Sequence, residues 1–338
     1  MQKPDEGRVV YLDVIRLLAT FGVIVLHVYA AETVQPVRSV NFLNAAVGDS
    51  LVRWAVPLFV MISGTLFLNP AKQVSYTSLR KKYLPRLLMV YLVWWVVYIP
   101  VRFVQDYLSG RPLGVAVLEP SFHLWYLPML MGVYLFIPVL KSVVVQERHV
   151  QVLLVLWAMY CTGSFLYAER IPQLGIFFPM NKVVGYVGYF LLGYYASCHT
   201  VSRRQAGWIY VAGLLGAVVT AAGTVGLSLY RGVNDTHFLN NLSPAVIAMS
   251  LALFVLCKRT APRFERRVLP LVNYVRRDLF GIYLVHLLWL VVLWGSPVRS
   301  RLGLHPVVMP LVCVAIFFLS LYTTKLIRRI PGLRKMVE

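Results

Sequence analysis

The sequence predicts an all-α, polytopic membrane bundle of about ten transmembrane helices with both termini cytoplasmic. Three observations predict it. Of 338 residues, 59% are hydrophobic and only 14% charged, with a mean hydropathy of +0.70, whereas soluble domains are about 45–50% apolar and about 25% charged. The apolar residues fall into ten continuous runs, each long enough for a hydrocarbon core about 30 Å thick. The Lys and Arg residues alternate in density from one connecting segment to the next. This composition excludes a soluble enzyme, a disordered chain and a disulfide scaffold. The runs are continuous rather than alternating, which excludes a transmembrane barrel.

The runs are 9–31, 46–68, 84–105, 123–145, 150–167, 182–198, 207–230, 241–257, 279–295 and 307–326. Together they fill the chain as one integral-membrane domain, 1–338, with no room for a second soluble one. Assigning alternate connections to opposite sides puts 23 of the 33 basic residues on one side and 9 on the other, with Arg16 inside the first span. The richer side is cytoplasmic by the positive-inside rule. That also accounts for the net charge of +20 without nucleic acid. Asp13, Arg16 and His27 interrupt the first run, as a cleaved signal peptide would not tolerate. Cys161, Cys198, Cys257 and Cys313 are widely spaced, and neither a CxxC pair nor a His/Cys cluster suggests a metal site. No internal repeat of the kind that builds many transporters is evident.

Ionisable groups inside a span cost roughly 2.5–3.5 kcal/mol on insertion scales and so point to function. The first span carries Arg16 and His27, with Glu32 just beyond. Eleven residues is close to three helical turns, about 16 Å, so the two side chains share a face, Arg16 in the cytoplasmic half and His27 near the outer end. That separation suits a long cavity. Asp49 and Arg53, four apart in the outer third of the second span, lie on one face and can pair. His123 opens the fourth span beside Trp125, and His286 sits halfway along the ninth. His27, His123, Asp49 and Arg53 are therefore expected to converge in the outer half of the bundle. Two basic cytoplasmic loops, 72–86 and 258–277, either set orientation and contact anionic lipid or bind a phosphorylated ligand.

These residues carry a resemblance. Tyr-Leu-Asp-Val-Ile-Arg-Leu-Leu-Ala (11–19) with His27, the Arg53–Gly64 segment, Arg80-Lys-Lys-Tyr-Leu-Pro-Arg86, His123-Leu-Trp-Tyr-Leu127, Tyr189–Tyr194 and Phe280–His286 resemble, in order, the acyltransferase family 3 of integral-membrane acyltransferases, which commonly O-acylate cell-envelope glycans. The layout is similar to the stand-alone type that O-acetylates enterobacterial common antigen. One departure is the basic loop, where lysines fill part of the family's arginine pattern.

The resemblance implies a bacterial inner-membrane enzyme. Its donor is acyl-CoA, most often acetyl-CoA, arriving from the cytoplasm. Its acceptor is an envelope glycan or lipid-linked saccharide. His27 is the implied general base, oriented by Asp49 or Glu32. Arg53 or His123 would stabilise the oxyanion, and Arg16 would line the channel. Arg80, Lys81, Lys82 and Arg86 would hold the nucleotide phosphates. Trp125 and His286 are further candidates. The competing expectation is a transporter or flippase for a lipid-linked or anionic solute.

Overall fold

The computed structural model describes residues 9–108, 121–167, 181–294 and 307–337, with the side chains of residues 181, 182 and 294 not described. All regular structure among them is helical: α1 (Val10–Ala30), α2 (Val40–Ser50), α3 (Ala55–Phe67), α4 (Leu84–Leu108), α5 (Tyr126–Leu135), α6 (Ile137–Val143), α7 (Glu147–Tyr167), α8 (Asn181–Cys198), α9 (Arg203–Arg231), α10 (Pro244–Val275), α11 (Leu279–Trp294) and α12 (Val308–Arg329), with short turns between. Among the described residues seven helical stretches are long and apolar enough to cross a membrane, or eight if the bent α5–α6 pair is one span. The sixth and ninth expected spans coincide with two shorter apolar helices, Val183–Cys198 and Leu279–Leu293. Part of the basic count (Lys3, Arg8, Arg111, Arg170, Lys182, Arg299 and Arg301) falls outside the described residues or side chains.

Prolines explain where the structure departs from the expected runs. The second run is not one helix: α2 stops at Ser50, a turn covers 51–54, and α3 begins at Ala55. Pro57 has no N–H for the carbonyl of residue 53 and its ring crowds that turn. Likewise Pro138 follows the break at Phe136, where α5 and α6 meet at 50°. The segment expected as loop 72–86 is partly helical. Ahead of Pro85 the chain forms a π-turn, Leu79–Tyr83, in which the Leu84 N–H reaches the Leu79 carbonyl. Pro85, the next residue, donates nothing to this turn. The basic segment 258–277 is not a loop either, because α10 runs on to Val275.

Helix α1 is the axis of the bundle and touches α2, α3, α10, α11 and α12. Its buried side includes Ile15, Ala19, Val23, Ile24 and Val28. Helices α3 and α8 cross backbone to backbone. A Cβ on Gly64 would stand 1.8 Å from the Phe190 carbonyl oxygen, and one on Gly193 would stand 2.1 Å from the Met61 oxygen. Both glycines are therefore required for backbone-to-backbone contact. Thr65 Oγ1 ties the pair by donating to the Gly193 carbonyl at 2.9 Å.

Several basic residues near one end of the bundle hold helix ends. Lys258 Nζ donates to the carbonyls of Ala196, Ser197 and His199 at 2.9, 2.6 and 2.8 Å, capping α8. Arg259 reaches the carbonyls of Val201 and Ser202. Lys141 Nζ donates to the Asn69 carbonyl at 3.1 Å. Arg328 pairs with buried Asp278 at 2.5 Å. The C-terminal turn docks at the same end, where Trp94 Nε1 donates to the Met336 carbonyl at 3.0 Å.

Candidate active site

Two cavities adjoin inside the bundle. The inner one, about 360 Å³, is lined by Arg16 and Arg86 among Ser63, Tyr83, Tyr134 and apolar neighbours. The outer one, about 250 Å³, is lined by His27, Arg53, His123, Trp125 and Asn241 with apolar neighbours. Phe59, Tyr126 and Tyr283 line both. Helix α1 sets the spacing, because Arg16 and His27, three turns apart, face one chamber each.

Three imidazoles gather at the outer chamber: His27 from α1 and His123 from the 3₁₀ turn Phe122–Trp125 line it, and His286 from α11 packs behind them. The rings of His27 and His286 stack with centroids 5.2 Å apart and planes 17° apart. His123 meets His286 edge-on at 5.4 Å. Backbone contacts hold the group. His286 Nδ1 lies 2.5 Å from the Tyr283 carbonyl oxygen, so this nitrogen carries the proton and donates. The Tyr283 hydroxyl donates to the His123 carbonyl at 2.6 Å, and the Tyr98 hydroxyl to the Leu284 carbonyl at 2.7 Å. His123 and His286 are fully buried, whereas His27 is half-buried and faces the cavity. Among the described residues no group of three His, Cys, Asp or Glu side chains is arranged to hold a metal ion.

Arg53 enters the same chamber from the turn ahead of α3. It forms an ion pair with Asp49 on α2, across the break between the helices. Asp49 thus reaches Arg53 and not His27; its second oxygen has no hydrogen-bond partner. Glu32 is fully buried just past α1. Several buried polar atoms here lack partners: Arg53 Nε, both ring nitrogens of His123, His286 Nε2 and Asn241 Oδ1. Each such group costs about 1–3 kcal/mol unless something polar meets it. The chamber is thereby suited to a hydroxyl-bearing ligand.

The inner chamber carries the positive charge. Arg16 NH1 bonds Asp13 at 3.3 Å and remains partly exposed. Of the four basic residues at 80–86, only Arg86 lines the cavity; Arg80, Lys81 and Lys82 are exposed on the π-turn. Sequence reasoning missed Asn241, Phe59, Tyr126 and Tyr283. Asn241 was detectable as an amide at the start of an apolar run, and its Nδ2 donates to the Tyr186 hydroxyl at 2.8 Å. The aromatics had no signal to separate them from ordinary core.

A family model described as an acyltransferase domain matches residues 9–325. No curated protein and no solved structure matches the chain.

Proposed function

The chain belongs to acyltransferase family 3, and from that premise we propose that it is an inner-membrane O-acyltransferase moving an acyl group, most simply acetyl, from acyl-CoA to a hydroxyl of a cell-envelope glycan or lipid-linked saccharide. One observation carries this reading. Adjoining cavities put cationic Arg16 and Arg86 at one end and His27 and His123, backed by His286, at the other. A phosphorylated donor fits the first, because guanidinium groups pair with phosphate oxygens. A hydroxyl acceptor fits the second.

In the proposed reaction His27 removes the proton from the acceptor hydroxyl as its oxygen attacks the thioester carbonyl. A tetrahedral intermediate forms, and Arg53 or His123 faces its oxyanion. Collapse breaks the C–S bond, and the CoA thiolate recovers the proton from His27. The ester product and free CoA leave. With an unperturbed pKa of about 6.5, an imidazole is mostly available as a base at pH 7.

The test is transfer from radiolabelled acetyl-CoA in membranes carrying the protein. His27→Ala and His27→Gln should express normally and lose at least about 100-fold in transfer, the low end of what a general base supplies. Retained activity in Gln but not Ala would make His27 a hydrogen-bonding positioner. Full activity in both would refute the mechanism, and absence of both transfer and CoA release in the unaltered protein would favour the transporter reading.

A further inference from the structure

The two chambers meet at three rings. Phe59 from α3, Tyr126 from the start of α5 and Tyr283 from α11 line both cavities. Ring centroids are 6.1 Å apart for Phe59–Tyr126 and 5.7 Å for Tyr126–Tyr283, within aromatic contact range. Tyr283 is pinned by its hydroxyl bond to the His123 carbonyl. Phe59 has no polar atom to pin it, and its side chain is only half-buried.

Length is the second observation. Arg16 and His27 are eleven residues apart on one helix, about 16 Å. A pantetheine arm has roughly a dozen bonds between its phosphate ester oxygen and its sulfur. At about 3.5 Å per three backbone-like bonds it extends about 14 Å. A phosphate near Arg16 and Arg86 therefore places a thioester in the His27 chamber only if the arm runs between the three rings.

Resting on the proposed acyl-CoA reaction, we infer that Phe59, Tyr126 and Tyr283 form the threshold the donor's arm crosses, and that Phe59 sets which acyl groups pass. Tyr283 is the fixed jamb and Phe59 the leaf that turns about its side-chain bonds. None of the three needs to touch the reacting atoms; they decide what reaches them.

The test uses protein with Cys161, Cys198, Cys257 and Cys313 replaced and Val56→Cys added, since Val56 lines only the outer chamber. Incubation with the mixed disulfide of CoA and methanethiol, whose leaving half is no larger than an acetyl group, should yield a protein–CoA mixed disulfide by thiol–disulfide exchange, releasing methanethiol, read by intact mass. Adding Phe59→Trp should reduce the adduct to background while free CoA still raises the melting temperature. In membranes with labelled acyl-CoAs of increasing chain length, Phe59→Ala should favour the longer donors over acetyl-CoA by roughly tenfold or more, the scale of methylene discrimination in an apolar pocket. Equal adduct with and without Phe59→Trp overturns the threshold, as does an unchanged chain-length preference in Phe59→Ala. Stabilisation by CoA without any adduct overturns the threshold but leaves the donor reading standing. If CoA neither stabilises the protein nor forms an adduct, the donor reading itself fails and takes the threshold with it.

Discussion

The Asp49–Arg53 pair bridges the break between α2 and α3, and its two members should not cost the same to remove. Asp49 is 1% exposed and Arg53 17%. Breaking a buried pair by removing one partner costs about 3–5 kcal/mol. Arg53→Ala strands a carboxylate that is shut off from solvent and has no second partner, so about 5 kcal/mol is expected. Asp49→Ala strands a guanidinium that can still be hydrated from the outer chamber, so about 3 kcal/mol is expected. The double alanine variant removes both charges and should be less destabilised than Arg53→Ala alone, a coupling of about 3 kcal/mol or more. Reversible unfolding in mixed micelles, titrated with SDS and followed by tryptophan fluorescence, gives all three values. Asp49→Asn adds a functional readout. It keeps the bulk but frees Arg53, so kcat for acyl transfer should fall while KM for acyl-CoA stays put, as for a positioning residue. Additive losses in the double variant, or a larger loss for Asp49→Ala than for Arg53→Ala, would refute the reasoning.

The inner chamber separates Arg86 from Arg80. Arg86→Ala should raise KM for acyl-CoA about 10–100-fold, a lost charge-assisted bond of about 1.5–3 kcal/mol, while exposed Arg80→Ala leaves it unchanged in the same steady-state assay. Gly64→Ala forces a methyl against the Phe190 carbonyl at 1.8 Å; a loss of at least about 1–3 kcal/mol is expected in the micelle titration, together with reduced transfer because α3 carries Phe59. Single cysteines at Val233, ahead of α10, and Arg263, in the basic second half of α10, in a cysteine-free background, should react with impermeant reagents from opposite faces of sealed vesicles; same-face labelling would remove the assignment of the two chambers to opposite sides.

Hydropathy made the helices legible because burial in lipid demands long apolar runs, and among the described residues each run overlaps helix, though the second and fourth are broken and seven or eight stretches are long and apolar enough to cross a membrane. It could not show helical continuity. Leu51 and Val52 are as apolar as their neighbours, so the break at 51–54 is invisible to a composition window; only Pro57, read through its missing N–H, marks it. Charge was legible in amount but not in use. Lys258 and Arg259 looked free for an anionic ligand, yet both are committed to carbonyls at a helix end. The site was legible where chemistry and apolarity clash: His27, Arg53, His123 and Trp125 share one cavity, and Arg16 and Arg86 another. The three shared rings were not, because an aromatic at a threshold and an aromatic in a core have the same local pattern.

The interlock of Gly64 and Gly193 divides the walls of these cavities into a stationary and a compliant half. With its backbone wedged against α8, α3 cannot slide or roll without colliding with carbonyls, so Phe59 and the start of α3 keep their place and only side-chain torsions remain free there. Opposite them the 3₁₀ turn at Phe122–Trp125 is tied to the packed helix α11 by one hydroxyl bond, from Tyr283 to the His123 carbonyl. Breathing that admits a ligand to the outer chamber is expected from that side. The bundle then works as a vice with one welded jaw, and amide exchange should be slowest around Met61–Thr65 and faster at the 3₁₀ turn.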